Sequence, residues 1–514
     1  MLGKSPLLLV QPKIKSMAKA SNTLDGRRVL ADSPRWKHLA RWHGDGYYVL
    51  KTEDTGDVPV RLFLTHSLLE SAEEILYRQI VNATRFPGVK MVVITPDVHY
   101  GYGVPVGCVL ITDYETGAVA MGPVGYDIGC GMMSAKSSVT VDAATPEKRL
   151  EFNRAVMQRI EMGAGGKSHR LRNLSEREFN SLVRGGAEYY VAKYGATFDR
   201  SRAERHRIPV DEDWEVPKRG KGRPERGMQQ LGSLGGGNHF IELQREVNTG
   251  ELFVQVHTGS RGFGHGMATN YFDLARAERP DEIKDIDLGY FTPESKHYRD
   301  YLNAVAAGGN YAILNRLIIF EQVAEAFRET FNADLKLIYE ISHNLVQKEW
   351  HPDFGDVWVH RKGATRAFPA GYPLLRGTIW ESTGHPVLIP GSNKDFSYIL
   401  RPLANAVRSG FSVNHGAGRR MSRAQAARTL SQRKIDDEYA EAGILVNTDG
   451  HVPIDESAPC YKSSEEVVKA VLEARLAEIQ YQLWPVSSLK GTEEGPRWRK
   501  KKSRRPRRSS SEHF

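Results

Sequence analysis

The sequence predicts a mixed α+β fold, in which β-sheets flanked by helices bring several strand ends and glycine loops to one site. Three observations carry this. Short β-rich apolar runs recur along the chain; the turns that follow them hold His, Asn or Asp next to glycine; and stretches with helical periodicity lie between them. Chemistry-bearing residues at successive strand ends are the usual mark of a site built on loops that a rigid scaffold holds in place.

In chain order, residues 1–60 are polar and irregular and receive no assignment. From Leu68 the run LLESAEEILYRQIV puts Leu68, Leu69, Ala72, Leu76 and Ile80 on one face, an amphipathic helix behind a Thr65 or Ser67 cap. Strand runs follow: Val92 to Thr95 leads into PDVHYGYG, Leu252 to Val256 into HTGSRG, and Leu335 to Ile341 into SHN. Val387 to Ile389 then leads into PGS, and Phe411 to Val413 into NHGAG. Helices are expected over Asn310 to Phe327 and over Glu465 to Leu483, where Val467, Val468, Val471, Leu472, Leu476 and Ile479 fall at helical spacing. The Gly/Arg/Lys-rich stretch from Lys218 to Arg226 predicts an exposed loop. No internal repeat is present.

At roughly 150 residues per domain, a chain of this length holds about three domains or one large fold with insertions. A composition of 40% hydrophobic and 26% charged residues belongs to an ordinary globular protein and excludes collagen-like and largely disordered classes. The formal charge is +9, and nine basic residues with no acidic one lie between Arg497 and Arg508, so the rest of the chain is neutral. Basicity therefore points only to a tail, expected to be disordered without a partner, that suits an anionic surface or nucleic acid. Three scattered cysteines exclude a disulfide framework, and no segment approaches the ~20 apolar residues of a membrane span; a cytoplasmic protein is expected.

Two glycine-rich strings are weak signals. EMGAGGKS ends like a phosphate-binding loop, but Glu161 stands where that motif begins with glycine and no clear strand precedes it. LGSLGGGNHF resembles a dinucleotide fingerprint, but the FIELQ that follows reads as a strand where a helix is required. The stronger constellation is GYDIGCG, where Asp127 and Cys130 sit three apart among glycines. Alone, such a pair reads as a buried thiol beside a turn-capping carboxylate. Histidine placement changes the balance: His239, His257, His343 and His415 each lie where an apolar run meets a glycine or polar turn. One Cys, one Asp and three His can hold two divalent ions, with Cys130 able to bridge them, and ligand softness alone suggests zinc or iron. Arg261 and Arg419 lie in glycine loops just after two of these histidines, where a guanidinium fork suits phosphate. Metals with phosphate-binding arginines point to phosphoryl or nucleotidyl transfer.

The strings PDVHYGYGVPVG, GPVGYDIGCG, LGSLGGGNHFIE, VHTGSRGFGH, ISHN, VHRKGATRAFP, IPGS, NHGAGRRMSR and SSLKG occur in the order found in the RtcB family of RNA ligases, and the chain resembles that family from Pro96 to Gly491. The resemblance implies an RtcB-like catalytic domain over 61–491, between a polar N-terminal extension and a basic tail over 492–514. It implies an enzyme that joins an RNA 3′-phosphate or 2′,3′-cyclic phosphate to a 5′-hydroxyl, using GTP and two Mn²⁺ ions, in tRNA splicing or RNA repair. An archease-type activator belongs to the same expectation. Asp127, Cys130 and His239 are implied ligands of one ion, and Cys130, His257 and His343 of the other. His415 is implied as the guanylate acceptor, forming a His–GMP phosphoramidate whose GMP passes to the RNA 3′-phosphate before the 5′-hydroxyl displaces it. A cyclic end would first be opened by metal-activated water.

For the nucleotide the resemblance implies Asn238, His239, Phe240, Ile241, Glu242, His343, Asn344, Pro390, Gly391, Ser392, Asn393, Ser397, the His415-Gly416-Ala417-Gly418 turn and Lys490. For RNA phosphates it implies Arg226, Arg261 and Arg419. Asp97 and His99 also fall at motif positions. Two features depart from the pattern: Asn414 replaces the common cysteine before the acceptor histidine, and PGSNKDF replaces a PGSMGT-like loop, bringing charged Lys394 and Asp395 near the expected nucleotide pocket. The rival class is a metal-dependent phosphodiesterase or phosphatase on RNA ends, which needs neither GTP nor Lys490. A third is a non-catalytic RNA-binding subunit, which would not require the full metal set.

Overall fold

The computed structural model describes residues 35–491 except 169, 172, 197, 204–206 and 219. The basic tail and residues 1–34 lie outside the described residues. Two large sheets carry the fold. The first has seven strands, in the order Ala40–Trp42, Tyr48–Leu50, Val60–Leu62, Val89–His99, Val106–Asp113, Gly355–Lys362 and Asn344–His351. The second has eight. Its path runs Lys336–Ser342, Gly131–Thr140, Glu251–Thr258, Phe240–Glu246, Ala477–Lys490, Ser397–Pro402 and Val387–Ile389, and Leu445–Val446 pairs in parallel with Ala477–Lys490. The α+β expectation is met.

A 34-residue helix, Tyr298–Phe331, packs on the second sheet and is buried along most of its length. At 1.5 Å per residue it is about 50 Å long, and it packs on the strands Lys336–Ser342, Gly131–Thr140 and Glu251–Thr258. Helices Pro146–Arg159, Glu176–Tyr194 and Arg261–Glu278 pack on its other sides. This explains why its sequence is apolar all round rather than striped. Small residues on it serve the site directly. Gly129, at φ +73°, lies so close to Gly309 and Ala312 that an added Cβ would stand 2.9 and 2.8 Å from their atoms. The turn that carries Asp127 and Cys130 is thereby seated on the helix.

Each predicted strand run lies wholly or in large part within an observed strand, and Asn310–Phe327 lies inside the long helix. Four expectations change. The run from Leu68 is two helices, His66–Ser71 and Leu76–Ala83, because Ala72 turns extended; Thr65 caps the first, its hydroxyl accepting from Leu68 N–H at 3.2 Å. The helix expected through Leu483 stops at Glu473. After a turn with Arg475 at φ +51°, Ala477–Lys490 pairs with strands on both sides, and Ile479, counted as a core position, is 43% exposed. Pairing with two ready-made strands outweighs helical spacing here. Part of the expected loop 218–226 is helical, since Pro224 opens a short helix, Pro224–Gln230. Residues 36–62, unassigned from sequence, supply a short helix and three strands of the first sheet.

Both glycine decoys are turns. Glu161 accepts from the Lys167 backbone N–H at 2.7 Å, and LGSLGGGNHF runs straight into strand Phe240–Glu246.

Candidate active site

Register puts the metal-ligating types at one end of neighbouring strands. Gly131 pairs with Thr258 and with Ser342, and His257 pairs with Phe240, so Cys130, His239, His257 and His343 all stand at the same edge of the second sheet. His343 is also the joint between the sheets, since strand Lys336–Ser342 ends just before it and strand Asn344–His351 of the first sheet begins just after.

The donor atoms form two triads sharing one sulfur: Cys130, His257 and His343, and Asp127, Cys130 and His239, with the atoms of each triad within 4.8 Å of one another. Cys130 Sγ is 3.2 Å from His257 Nε2 and 3.6 Å from His239 Nε2. His257 Nε2 is 3.3 Å from His343 Nε2, and His239 Nε2 is 3.2 Å from Asp127 Oδ2. The far ring nitrogens of His239 and His257 are spoken for. His239 Nδ1 meets Leu234 O at 3.1 Å and His257 Nδ1 meets Asn238 O at 3.0 Å, which fixes the tautomer that turns Nε2 inward. Burial holds His257 and His343 well below the usual histidine range, so both are neutral, the form that ligates. Burial alone would keep the Asp127 carboxyl protonated; the His239 hydrogen bond and charge, helped by Arg261, reverse that and bring it to about 2. An O/N/S donor set, oriented from behind and sharing a thiol, fits a pair of divalent cations.

Beneath the triads, one buried guanidinium ties the ligand-bearing segments together. Arg316, from the long helix, donates from one nitrogen to Gly129 O and Thr258 O, each at 2.8 Å, and from another to Ser342 Oγ at 2.7 Å, while pairing with Glu340. Gly129, Thr258 and Ser342 are the chain neighbours of Cys130, His257 and His343. Asn315 adds bonds to Ser233 O and Gly259 O.

Above the triads the ring of His415 lies 4.6 Å from that of His343, centroid to centroid. Its Nδ1 is 2.6 Å from Asp97 Oδ2, and the backbone N–H groups of His415 and Gly416 donate to the same oxygen at 3.1 and 3.3 Å. Thr95 donates to the other oxygen at 2.6 Å. Burial opposes ionisation of Asp97, but the His415 charge and the bonds from His415 and Thr95 prevail, leaving it below its ordinary range. Gly418, at φ +77°, lets the turn close on this carboxylate segment: a Cβ there would stand 2.1 Å from Asp97 O.

A cavity of about 450 Å³ opens over these groups. Of the residues expected from sequence, His99, Asn238, Phe240, Glu242, Asn344, Pro390 to Asn393, His415 to Arg419 and Lys490 line it together with Asp127, Cys130, His257 and His343. His239 stands behind, in its triad. Ile241 is core, and Ser397 supports the wall by accepting from Gln244 and from Gly391 N–H, each at 3.0 Å. Arg226 is exposed, alongside Gly262, and Arg261 donates to Gly163 O; both lie outside the wall. Arg419 lines the cavity, its fork engaged by Asp455 O, Glu456 and Tyr461 OH.

Glu242 and Lys490 both line the cavity and interact electrostatically, with the Lys490 ammonium 5.3 Å from the Phe240 ring centroid and 3.8 Å from Glu456. Burial raises Glu242 to about 7, with Gln244 and Lys490 opposing, and burial lowers Lys490. The divergent loop does not place charge in the cavity. Lys394 pairs with Glu438 at 3.0 Å and Asp395 accepts from Ser464 N–H at 2.8 Å, while Asn393 bonds Tyr439. Asn414 donates to Gly416 O at 2.7 Å and so braces the His415 turn. Sequence reasoning missed the roles of Asp97, Tyr102, Lys362, Arg423 and Tyr461 in this site. Asp97, Tyr102, Lys362 and Arg423 stand in the strings PDVHYGYGVPVG, VHRKGATRAFP and NHGAGRRMSR, whereas Tyr461 stands in none of them.

The family model described as tRNA-splicing ligase RtcB matches residues 79–491, most of the chain. The chain belongs to the RtcB family. Among curated RtcB relatives, the tRNA-splicing ligase of Pyrobaculum aerophilum is 35% identical over 469 residues, covering 84% of this chain and 95% of its own. That of Thermococcus kodakarensis is 34% identical, covering 84% and 95%. The RNA-splicing ligase RtcB of Mycobacterium tuberculosis is 34% identical, covering 80% of this chain and all of its own. The RtcB match thus includes every triad residue, Asp97 and His415. No helix among the described residues is long and apolar enough to cross a membrane.

Proposed function

We propose that this chain joins an RNA 3′-phosphate, or a 2′,3′-cyclic phosphate once opened, to an RNA 5′-hydroxyl with GTP as the energy source. The observation that carries the reading is the Asp97–His415 pair beside the two triads. Asp97 accepts from Nδ1–H, so Nε2 keeps its lone pair for attack. His415 Nε2 forms a bond to the α-phosphorus of GTP as the bond to the β-phosphate oxygen breaks and pyrophosphate leaves. An RNA 3′-phosphate oxygen then displaces the imidazole, giving an RNA-3′-pp-G end, and the 5′-hydroxyl attacks the 3′-phosphorus and expels GMP.

Asp127, Cys130 and His239 would hold one Mn²⁺ and Cys130, His257 and His343 a second. Bound there, the ions supply charge neutralisation for phosphate oxygens and acidify an attacking hydroxyl. Glu242, when ionised, suits the N–H edge of guanine, and Lys490 and Arg419 supply positive charge. We read the protein as cytoplasmic from its three free, buried cysteines, and an archease-type activator rests on the resemblance alone.

Incubation with α-labelled GTP and Mn²⁺ is expected to give an acid-labile protein–GMP adduct that His415→Ala abolishes. Joining of 3′-phosphate to 5′-hydroxyl RNA should require GTP. Hydrolysis of RNA ends that proceeds equally without GTP, with no joining, would instead establish the phosphodiesterase class.

A further inference from the structure

Tyr102 is 61% exposed, and yet its loop is anchored by buried side chains. Three polar side chains, each more than nine-tenths buried, are spent on the backbone of residues 101–104. Gln79 donates to Gly101 O and accepts from Gly101 N–H at 3.1 Å, Asn82 donates to Gly103 O at 2.8 Å, and the Lys362 ammonium donates to Tyr102 O and Val104 O at 2.6 and 3.0 Å. Gly103, at φ +70°, packs against Asp287 O, where a Cβ would come within 2.6 Å. The Tyr102 ring meets the Tyr126 ring edge to face at 6.0 Å. Tyr126 is itself stacked on His265 at 5.2 Å and donates to Asp287 Oδ1 at 2.7 Å. Buried polar groups and a glycine in a left-handed conformation that a Cβ would forbid thus hold a large ring in water, the reverse of what burial of apolar surface would select.

Tyr102 and Tyr126 both line the cavity. Two chain connections key them to the reactive groups: Tyr126 precedes the triad residue Asp127, and Lys362, which holds the Tyr102 carbonyl, precedes Gly363, where a Cβ would lie 2.9 Å from the His415 ring. The polar groups expected to take guanine, Glu242 and Lys490, make their contacts with Gln244, Phe240 and Glu456 and none with this loop. A rigid aromatic ring in the cavity wall, fixed relative to the phosphate-handling atoms, matches the way single-stranded nucleic acid is held without sequence preference.

We propose that Tyr102, braced by Tyr126, is a stacking platform for the nucleobase of the RNA end being joined. This rests on the ligase reading above, and it specifies how that site grips RNA. Stacking asks only for a π-face, so any of the four bases would serve.

The test uses the full-length protein and an RNA carrying 2-aminopurine as its terminal base, on the 3′-phosphate strand in one arm and on the 5′-hydroxyl strand in the other. Binding to the wild type should quench the fluorescence in one arm, which identifies the strand; Tyr102→Phe should keep the quench and Tyr102→Ala lose it. In ligation, Tyr102→Ala should raise KM for that RNA about 5- to 150-fold, the range that one base–aromatic stack supplies, with a smaller effect on kcat. An abasic end should cost the wild type a similar factor and Tyr102→Ala little more. Equal quenching by wild type and Tyr102→Ala, or a loss of label transfer from GTP as large as the rise in KM, overturns the proposal. Quenching that follows Tyr102 in a protein that joins no RNA would uphold the platform and overturn the ligase reading.

Discussion

His415 illustrates how one hydrogen bond can decide whether a residue reacts. Two backbone N–H groups and Thr95 already donate to Asp97, so its carboxylate can present only an acceptor to His415 Nδ1. Asp97→Asn would place an NH₂ among those donors and favour the tautomer protonated at Nε2. Label transfer from GTP to the protein should fall about 10²-fold or more while KM for GTP moves little, because Asp97 positions the imidazole and does not line the cavity. A variant with raised KM and unchanged turnover would refute that role. Glu242 gives a second residue-scale expectation. Burial raises its carboxyl to about 7, so the protonated form dominates below neutrality and the acceptor form above. KM for GTP should therefore fall as pH rises from 6 to 8, and Glu242→Gln should flatten that profile.

Among elements, the long helix Tyr298–Phe331 organises the site through Arg316. Arg316→Met removes the guanidinium that compensates buried Glu340, which costs about 3–5 kcal/mol for a pair of this kind. It also frees the segments next to Cys130, His257 and His343, so Mn²⁺ affinity measured by calorimetry should fall about 10- to 100-fold. The double variant Arg316→Met, Glu340→Met separates the two effects: thermal stability should recover and Mn²⁺ affinity should not. If both recover, the clamp is only structural. None of this was visible in the sequence, where Arg316 is one cation in an apolar helix whose partners lie 24 to 187 residues away. What could be read was local. Apolar runs ending in glycine turns located strands 89–99, 251–258, 336–342, 387–389 and 412–414, and histidines at run ends located the donors from which both triads are drawn, while their division into two sets came from the family resemblance. Tertiary pairing overrides periodicity in Ala477–Lys490, a strand paired on both sides where the spacing predicts helix. Residues 36–62 escaped because three-residue strands are too short to show a period.

For the whole molecule, the charge distribution separates catalysis from capture. The described site is a balanced network in which each cation of the wall has an acidic or carbonyl partner, as with Arg419 and Glu456, Lys490 and Glu456, and Lys362 and Val104. The surplus of nine positive charges lies between Arg497 and Arg508, seven residues beyond Lys490 at its nearest. Since strand Ala477–Lys490 ends at the cavity, the chain leaves the described structure beside the candidate site. Deleting residues 496–514 should leave the yield of protein–GMP adduct unchanged, because no residue of the triads, the Asp97–His415 pair or the cavity wall is removed. RNA affinity should fall. For single-stranded RNA each neutralised phosphate contributes about 0.7 to the slope of log affinity against log salt, so the slope should flatten by about that amount for every phosphate the tail neutralises. Affinity measured between 50 and 200 mM salt, for both proteins on the same 3′-phosphate RNA, reads the number directly. An unchanged slope would mean that the tail takes no part in RNA binding, and the few arginines near the cavity would then have to capture the strand.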